Sequence, residues 1–321
     1  MVGGLNVSEF QRGIRDQRNI AALQELSKQP GWWQDVLHDP SLLVGIRNEY
    51  LNIYWQGQSI FKVTFKDGQV LASTHPKYLL NPDLSGQIPL RLDQFEVGSA
   101  EGFITRTYKG SETLGKLKRA AGLFSVEEKQ GVHRIATSNL NVVDVEIALP
   151  ANGVADVGSL PRVDLATFEN SDRVELIFWE AKTFANPEIR RAERDASDDV
   201  GASQSKKKYV ADQIAKYQKV IRLHQPQIAE SYAFVADNLV DIAEMSGGQR
   251  KVSDGIVRVA NEPKLLAVSE SNVGLIVYGY DKDQSDGRLK RLRSRLEKEL
   301  VELGLNKDRL KFRGDAKGLT L

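Results

Sequence analysis

The stretch Val174-Glu-Leu-Ile-Phe-Trp-Glu-Ala-Lys182 decides how the rest of the chain is read, because it sets an acid and an amine two residues apart at the end of an apolar run. Side chains of a β-strand alternate faces with a period of two, so Glu180 and Lys182 are expected on one face beside Phe178. Trp179 and Ala181 then face the other way. Opposite charges on one face of a strand that otherwise wants burial call for a chemical reason.

Two more strand-like runs precede it, 142–149 and 162–168, and 123–139 ahead of them reads as a helix with Ser125 as its cap. After it come a charged loop, 186–203, and a helix over 206–223 in which Val210, Ile214, Tyr217 and Ile221 recur at helical spacing. A second helix is expected over 227–245, ended by Ser246-Gly-Gly248, then a strand over 273–280. An amphipathic helix over 287–303 carries leucines at 289, 292, 296, 300 and 303, and a short strand over 309–312 closes the pattern.

The first 122 residues read as a separate α+β accessory region. Residues 8–28 predict a helix capped by Ser8, with Phe10, Ile14, Ile20, Leu23 and Leu26 on its apolar side and Pro30-Gly31 at its end. Three β-rich runs follow, 51–55, 59–65 and 70–73, with Asp67-Gly68 as a strong hairpin signal between the last two. They predict a small antiparallel meander, and 75–90 predicts a loop.

Composition bounds the function. A chain of 321 residues that is 41% hydrophobic can supply a sizeable core. No apolar run approaches the roughly 18 residues of a membrane span, and the first eight residues lack signal-peptide character, so a cytoplasmic protein is expected. The chain has no cysteine, which fits a reducing compartment and excludes thiolate metal sites and a Cys nucleophile. Its four histidines, at 38, 75, 133 and 224, have no metal-ligand spacing, so a metal would be held by oxygen. The net charge of +1 says little about polyanions, but the basic residues are clustered, at 116–119, 206–208 and 288–295.

The order helix, three strands, helix, strand over residues 123–280 resembles the PD-(D/E)xK nuclease superfamily, with its restriction-endonuclease-like αβββαβ core. Pro161-Arg-Val-Asp164 stands in place of the PD element and Glu180-Ala-Lys182 in place of E-x-K, each on the strand where the family carries it. Gln213-Ile-Ala-Lys-Tyr217 looks like the Q-x3-Y motif of the exonuclease-type branch, and Glu128 resembles the acidic residue often found on the first core helix. The resemblance implies a mixed sheet flanked by helices in residues 123–321 and a Mg²⁺-dependent nuclease, with Mn²⁺ able to substitute. It implies DNA as substrate without separating it from RNA, and a role in defence against foreign DNA or in repair. A second copy or a partner protein would meet the N-terminal region.

These residue types suit that chemistry. Phosphodiester hydrolysis needs charge neutralised on the phosphate, a water deprotonated and the departing oxygen stabilised, which carboxylates holding Mg²⁺ can do together. Asp164 and Glu180 would supply the hard oxygen ligands and Lys182 would orient the attacking water. Glu146 is a further candidate ligand, against the plainer reading that it and Asp144 make ordinary hydrogen bonds at a strand edge. Gln213 and Tyr217 lie one helical turn apart and could contact a nucleotide together, or be surface and core respectively. Arg190 and Arg191 are placed to meet phosphate, or are solvated charges. In the 287–303 helix, positive charge crowds the first half and Glu297, Glu299 and Glu302 the second, opposite to what the helix dipole favours; a polyanionic partner would explain that, as would a modest cost tolerated on the surface.

D/E-x-K by itself decides nothing, since Glu127-Glu-Lys129, Glu262-Pro-Lys264 and Asp315-Ala-Lys317 match it too. The setting of Glu180 separates it from these. Two fragments, Gly110-Ser-Glu-Thr-Leu-Gly-Lys116 and Met245-Ser-Gly-Gly-Gln-Arg250, resemble parts of an ATP-binding cassette. Leu117 and Ser269, however, replace the two metal-binding positions such an ATPase needs, so these fragments are read as a loop and a helix-ending turn. The remaining alternative to a nuclease is a module of the same fold that binds nucleic acid or a partner without cutting.

Overall fold

A computed structural model of the chain describes residues 10–79, 87–96, 107–150, 154, 160–190, 209–282, 284 and 287–321. The described part is mixed α/β, built on two sheets. The N-terminal sheet is an antiparallel meander of six strands in sequence order: β1 (Leu43–Ile46), β2 (Tyr50–Trp55), β3 (Gln58–Lys66), β4 (Gln69–Thr74), β5 (Ile88–Arg91) and β6 (Gln94–Phe95). Helices α1 (Gln17–Ser27), α2 (Trp32–His38) and α3 (Ser111–Gly122) accompany it.

The second sheet holds the stretch 174–182. Its order is β11-β10-β9-β8-β7, with β7 (Val142–Ile147), β8 (Val163–Asn170) and β9 (Val174–Thr183) antiparallel, and β10 (Leu266–Tyr278) and β11 (Leu310–Arg313) running parallel to β9. Helix α4 (Glu127–Ser138) precedes β7, and α5 (Val210–Met245) and α6 (Asp254–Asn261) lie between β9 and β10. Helix α7 (Arg288–Glu302) then leads to β11.

The two faces of β9 are filled as its period demands. Trp179 and Ala181 pack with Val132, Ile135 and Ala136 of α4, while Phe178 packs against Tyr232 of α5 with ring centroids 5.8 Å apart. Helix α5 presents Val210, Ile214, Tyr217, Ile221, Ile228 and Val235, all fully buried. It is one helix where two were expected. The break between them is a kink at His224, where φ −108° and ψ 17° leave the helical region two residues before Pro226.

One apolar cluster runs from Phe10 through the first sheet into the α5 face of the second, so the two parts share a core. A buried charge group locks them together. Asp144 of β7 accepts from Arg12 Nε at 3.3 Å, from Arg47 Nη1 at 2.5 Å and from the Tyr232 hydroxyl at 3.2 Å, and Arg47 also donates to the Val145 carbonyl at 2.6 Å. Asp144 thus makes its hydrogen bonds on the edge strand, as the plainer reading has it, but as a buried anchor between the two parts.

Other elements differ from expectation for local reasons. The first helix begins at Gln17 behind an Asp16 cap, because Gly13 sits at φ +113°, outside helical space, and bridges to Asn48. Phe10 and Ile14 are buried all the same, from an irregular segment. The glycine-containing fragment expected as a loop is the start of α3, whose Leu114 and Leu117 are buried. Ser125 does not cap α4; its hydroxyl donates to the Gln56 carbonyl at 2.6 Å. Helix α6 was not foreseen. No helix among the described residues is long and apolar enough to cross a membrane.

Candidate functional site

Register places three acids in a row. Leu165 of β8 is opposite Trp179 of β9, and Val145 and Ile147 of β7 are opposite Leu165 and Val163, so Glu146, Asp164 and Glu180 fall at neighbouring positions across three strands. Asp164 and Glu180 are 3% and 2% exposed, a placement carboxylates do not tolerate without partners. The partners come from the strand itself and from both flanking helices.

Glu180 is held by two groups. Lys182 Nζ lies 2.8 Å from its Oε1, and the Tyr217 hydroxyl donates to its Oε2 at 3.0 Å. Gln213 Nε2 in turn donates to Tyr217 Oη at 2.5 Å, so the two residues of the Q-x3-Y pattern form one hydrogen-bonded chain ending on Glu180. Burial raises the Glu180 carboxyl above the usual range and the Asp164 charge adds to this; Lys182 and the Tyr217 hydrogen bond oppose it. Burial also raises Tyr217, helped by the Glu180 charge, so the phenol stays protonated and able to donate. For Lys182 burial is the largest influence and acts downward, but Glu180 and Glu188 outweigh it and keep the ammonium charged. Glu188 Oε2 is 2.7 Å from Lys182 Nζ.

Asp164 has its own pair. Its Oδ2 accepts from the Ala181 amide at 2.9 Å, tying β8 to the end of β9, and its Oδ1 lies 3.0 Å from Lys129 Nζ. The same ammonium is 2.7 Å from Glu146 Oε1, and Arg162 stands 3.9 Å from Glu146 Oε2. Glu146 adopts φ +53°, a left-handed conformation that costs a non-glycine residue roughly 1 kcal/mol or more. Its buried Oε1 has the Lys129 ammonium as its partner. Strain in an acid that ends beside two others is an arrangement the fold has to hold in place.

The remaining expected residues divide. Glu128 sits at the edge of the cluster, where its Oε2 accepts from Asn186 at 2.7 Å and its charge reaches Lys182. Arg190 turns away, donating to the Phe184 carbonyl at 2.7 Å and covering the Phe184 ring at 5.0 Å. Arg191 and the 206–208 lysines lie outside the described residues. Lys118 is engaged with Asp39 at 2.7 Å, while Lys290, Arg291, Arg295 and Lys298 of α7 line an open groove.

Lys129, Asn186 and Glu188 were not foreseen. Lys129 is the amine of Glu127-Glu-Lys129, another D/E-x-K match, and nothing local marks its reach to an aspartate 35 residues on. The cassette-like fragments have structural duties: Lys116 pairs with Glu112 at 2.7 Å, and Arg250 donates to the carbonyls of Val36, Asp39 and Leu42.

No three His, Asp or Glu side chains among the described residues are close enough to hold a metal ion alone, so waters or a substrate oxygen would have to complete any coordination shell. No protein-family model matches the chain, and comparison with curated proteins and with solved structures finds no match. Fold and site together define a mixed α/β protein with a buried acid–amine cluster at the end of β9.

Proposed function

We propose that this chain is a Mg²⁺-dependent deoxyribonuclease of the PD-(D/E)xK type. The observation that carries the reading is the convergence of Asp164, Glu180 and Lys182 on adjacent strands, with Gln213 and Tyr217 anchoring Glu180 from the following helix. The element order α4-β7-β8-β9-α5-β10 supports it, with α6 as an addition.

The donor set suits a hard cation. Asp164, Glu180 and Glu146 offer carboxylate oxygens, and the Asp164–Glu146 pair already attracts one cation, the Lys129 ammonium. When bound, Mg²⁺ would neutralise charge on the scissile phosphate and make a water more acidic. Around it the chain's own groups have distinct tasks. Lys182 places a fixed positive charge where the attacking water and the phosphate oxygens must be oriented. Tyr217 holds the Glu180 carboxylate in one rotamer, and the Ala181 amide does the same for Asp164.

One observation favours a second reading, a module of this fold that binds without cutting. Lys129 and Lys182 between them already pair with Glu146, Asp164 and Glu180. Incubation of linear, circular and single-stranded DNA and of RNA, with and without Mg²⁺ or Mn²⁺, separates the two. Cleavage that needs the cation and falls at least about a hundredfold in Lys182→Ala is expected for the nuclease. Equal cleavage by both proteins would remove this site from the reaction, and binding without any cleavage would favour the module.

A further inference from the structure

The junction between α3 and α4 leaves three apolar side chains in solvent within four residues: Leu123, Phe124 and Val126 are 79%, 44% and 62% exposed. Single exposed hydrophobics need no account, but a contiguous group does. This one is tied down by hydrogen bonds. Gln58 Nε2 donates to the Phe124 carbonyl at 3.2 Å, and Gln58 Oε1 accepts from Lys77 Nζ at 3.0 Å and from the Tyr78 hydroxyl at 3.2 Å. Ser125 is tied to the same hairpin through the Gln56 carbonyl.

Phe124 also belongs to an aromatic and cationic group. Its ring stands edge-on to Tyr78 at 6.3 Å, and Lys77 Nζ lies 4.9 Å from the Phe124 centroid and 5.0 Å from that of Tyr78. The segment then runs directly into the first turn of α4, which carries Glu128 and Lys129 to the acid cluster. Gly57 packs against the stem of Lys129 so closely that a Cβ there would come within 2.7 Å of the Lys129 Cβ. Platform and acid cluster thus flank the same helix start.

We propose that Phe124, with Leu123 and Val126 beside it and Lys77 behind, stacks an unpaired base of single-stranded DNA as the strand enters the acid cluster. This rests on the deoxyribonuclease reading. A nucleotide offers both a π-face for an exposed ring and a phosphate for a nearby ammonium, and that pairing of ring and cation is what the surface presents. An apolar protein partner would have no use for the cation, and a duplex hides its base faces, so the platform selects an unpaired strand.

The test is fluorescence anisotropy with a labelled single-stranded oligonucleotide and a blunt duplex of the same sequence, in EDTA so that nothing is cut, beside cleavage assays with Mg²⁺. Phe124→Ala is expected to weaken single-strand binding roughly tenfold, within the range of one base–aromatic stack, and to leave duplex binding unchanged. Phe124→Trp should restore binding while Phe124→Leu, similar in apolar area, should not. Thermal unfolding checks that the half-exposed substitution leaves the fold intact. Cleavage of DNA with identical single-strand affinity in wild type and Phe124→Ala would overturn the platform and spare the nuclease reading. Absence of any binding or cleavage would overturn both. Concentration-dependent dimerisation in sedimentation that Phe124→Ala abolishes, with oligonucleotide affinity unmoved, would assign the surface to a second copy instead.

Discussion

The Tyr217 hydroxyl donates to Glu180 Oε2 at 3.0 Å, from a helix that begins 30 residues after the acid itself. The bond crosses a layer in which both residues are buried, so water cannot replace it when it is lost. Tyr217→Phe keeps the ring and removes the donor. It is expected to destabilise the protein by about 1–2 kcal/mol in urea unfolding, a hydrogen bond to a charged acceptor. Gln213→Ala in the Tyr217→Phe background should add less than it does in the wild type, because Gln213 reaches Glu180 only through that hydroxyl.

Lys129 shares one ammonium between Asp164 at 3.0 Å and Glu146 at 2.7 Å. Lys129→Met keeps much of the stem and leaves two carboxylates facing each other, which raises the energy of the doubly charged state. Without divalent ions the variant is expected to lose about 2–3 kcal/mol of stability. Millimolar Mg²⁺ should recover more of that in the variant than it adds to the wild type, and EDTA should remove the recovery. Equal Mg²⁺ stabilisation of both proteins, measured by thermal unfolding, would show that this acid pair is not where the ion binds.

His133 links α4 to the first sheet and titrates in an accessible range. Its Nδ1 accepts from the Gln56 amide at 3.1 Å, so its Nε2 carries the proton towards the Ser41 carbonyl at 2.9 Å. Burial, with a smaller push from Lys118, lowers its pKa from 6.5 to about 4, against the Ser41 hydrogen bond and Asp39, which raise it. A folded pKa below the unfolded one means that the unfolded chain binds the proton first. The contribution of the neutral ring is therefore complete above pH 6.5 and declines as pH falls from there towards 4, by roughly 3 kcal/mol in all. His133→Gln should show a shallower loss of stability across that window, read from urea midpoints at successive pH values.

What the sequence revealed follows the reach of its periodicities. The opening strand and α5 were legible because a period of two and a period of 3.6 survive burial, and Tyr217 and Gln213 fell on one helix face for the same reason. Phe10 and Ile14 fit the helical period too, but Gly13 at φ +113° interrupts it, and no pattern of apolar residues reports a backbone angle. The acid cluster was half visible. Asp164, Glu180 and Lys182 lie on two adjacent strands near enough in sequence for register to be inferred, whereas Lys129, Arg12 and Arg47 reach their acids across 35, 132 and 97 residues. Such pairings depend on how the layers dock, and local spacing carries no record of that.

Gly131 sets two effects of known size against each other. In the middle of a helix such as α4, glycine is about 1 kcal/mol less favourable than alanine, so Gly131→Ala would ordinarily stabilise the protein. Here the added Cβ would stand 2.2 Å from Cε2 of Tyr278, a ring only 2% exposed whose hydroxyl donates to the Glu128 carbonyl at 2.7 Å. The ring cannot swing aside without breaking that bond, and overpacking a tight site costs roughly 1–3 kcal/mol. The clash exceeds the propensity gain, so net destabilisation of about 1–2 kcal/mol is expected in urea unfolding. Relief of the clash moves the first turn of α4 away from β10, taking Lys129 with it, so under the proposed nuclease function the variant should also need more Mg²⁺ to cut DNA. A Gly131→Ala protein as stable as the wild type would mean that α4 is not seated on Tyr278 closely enough to aim Lys129 at Asp164.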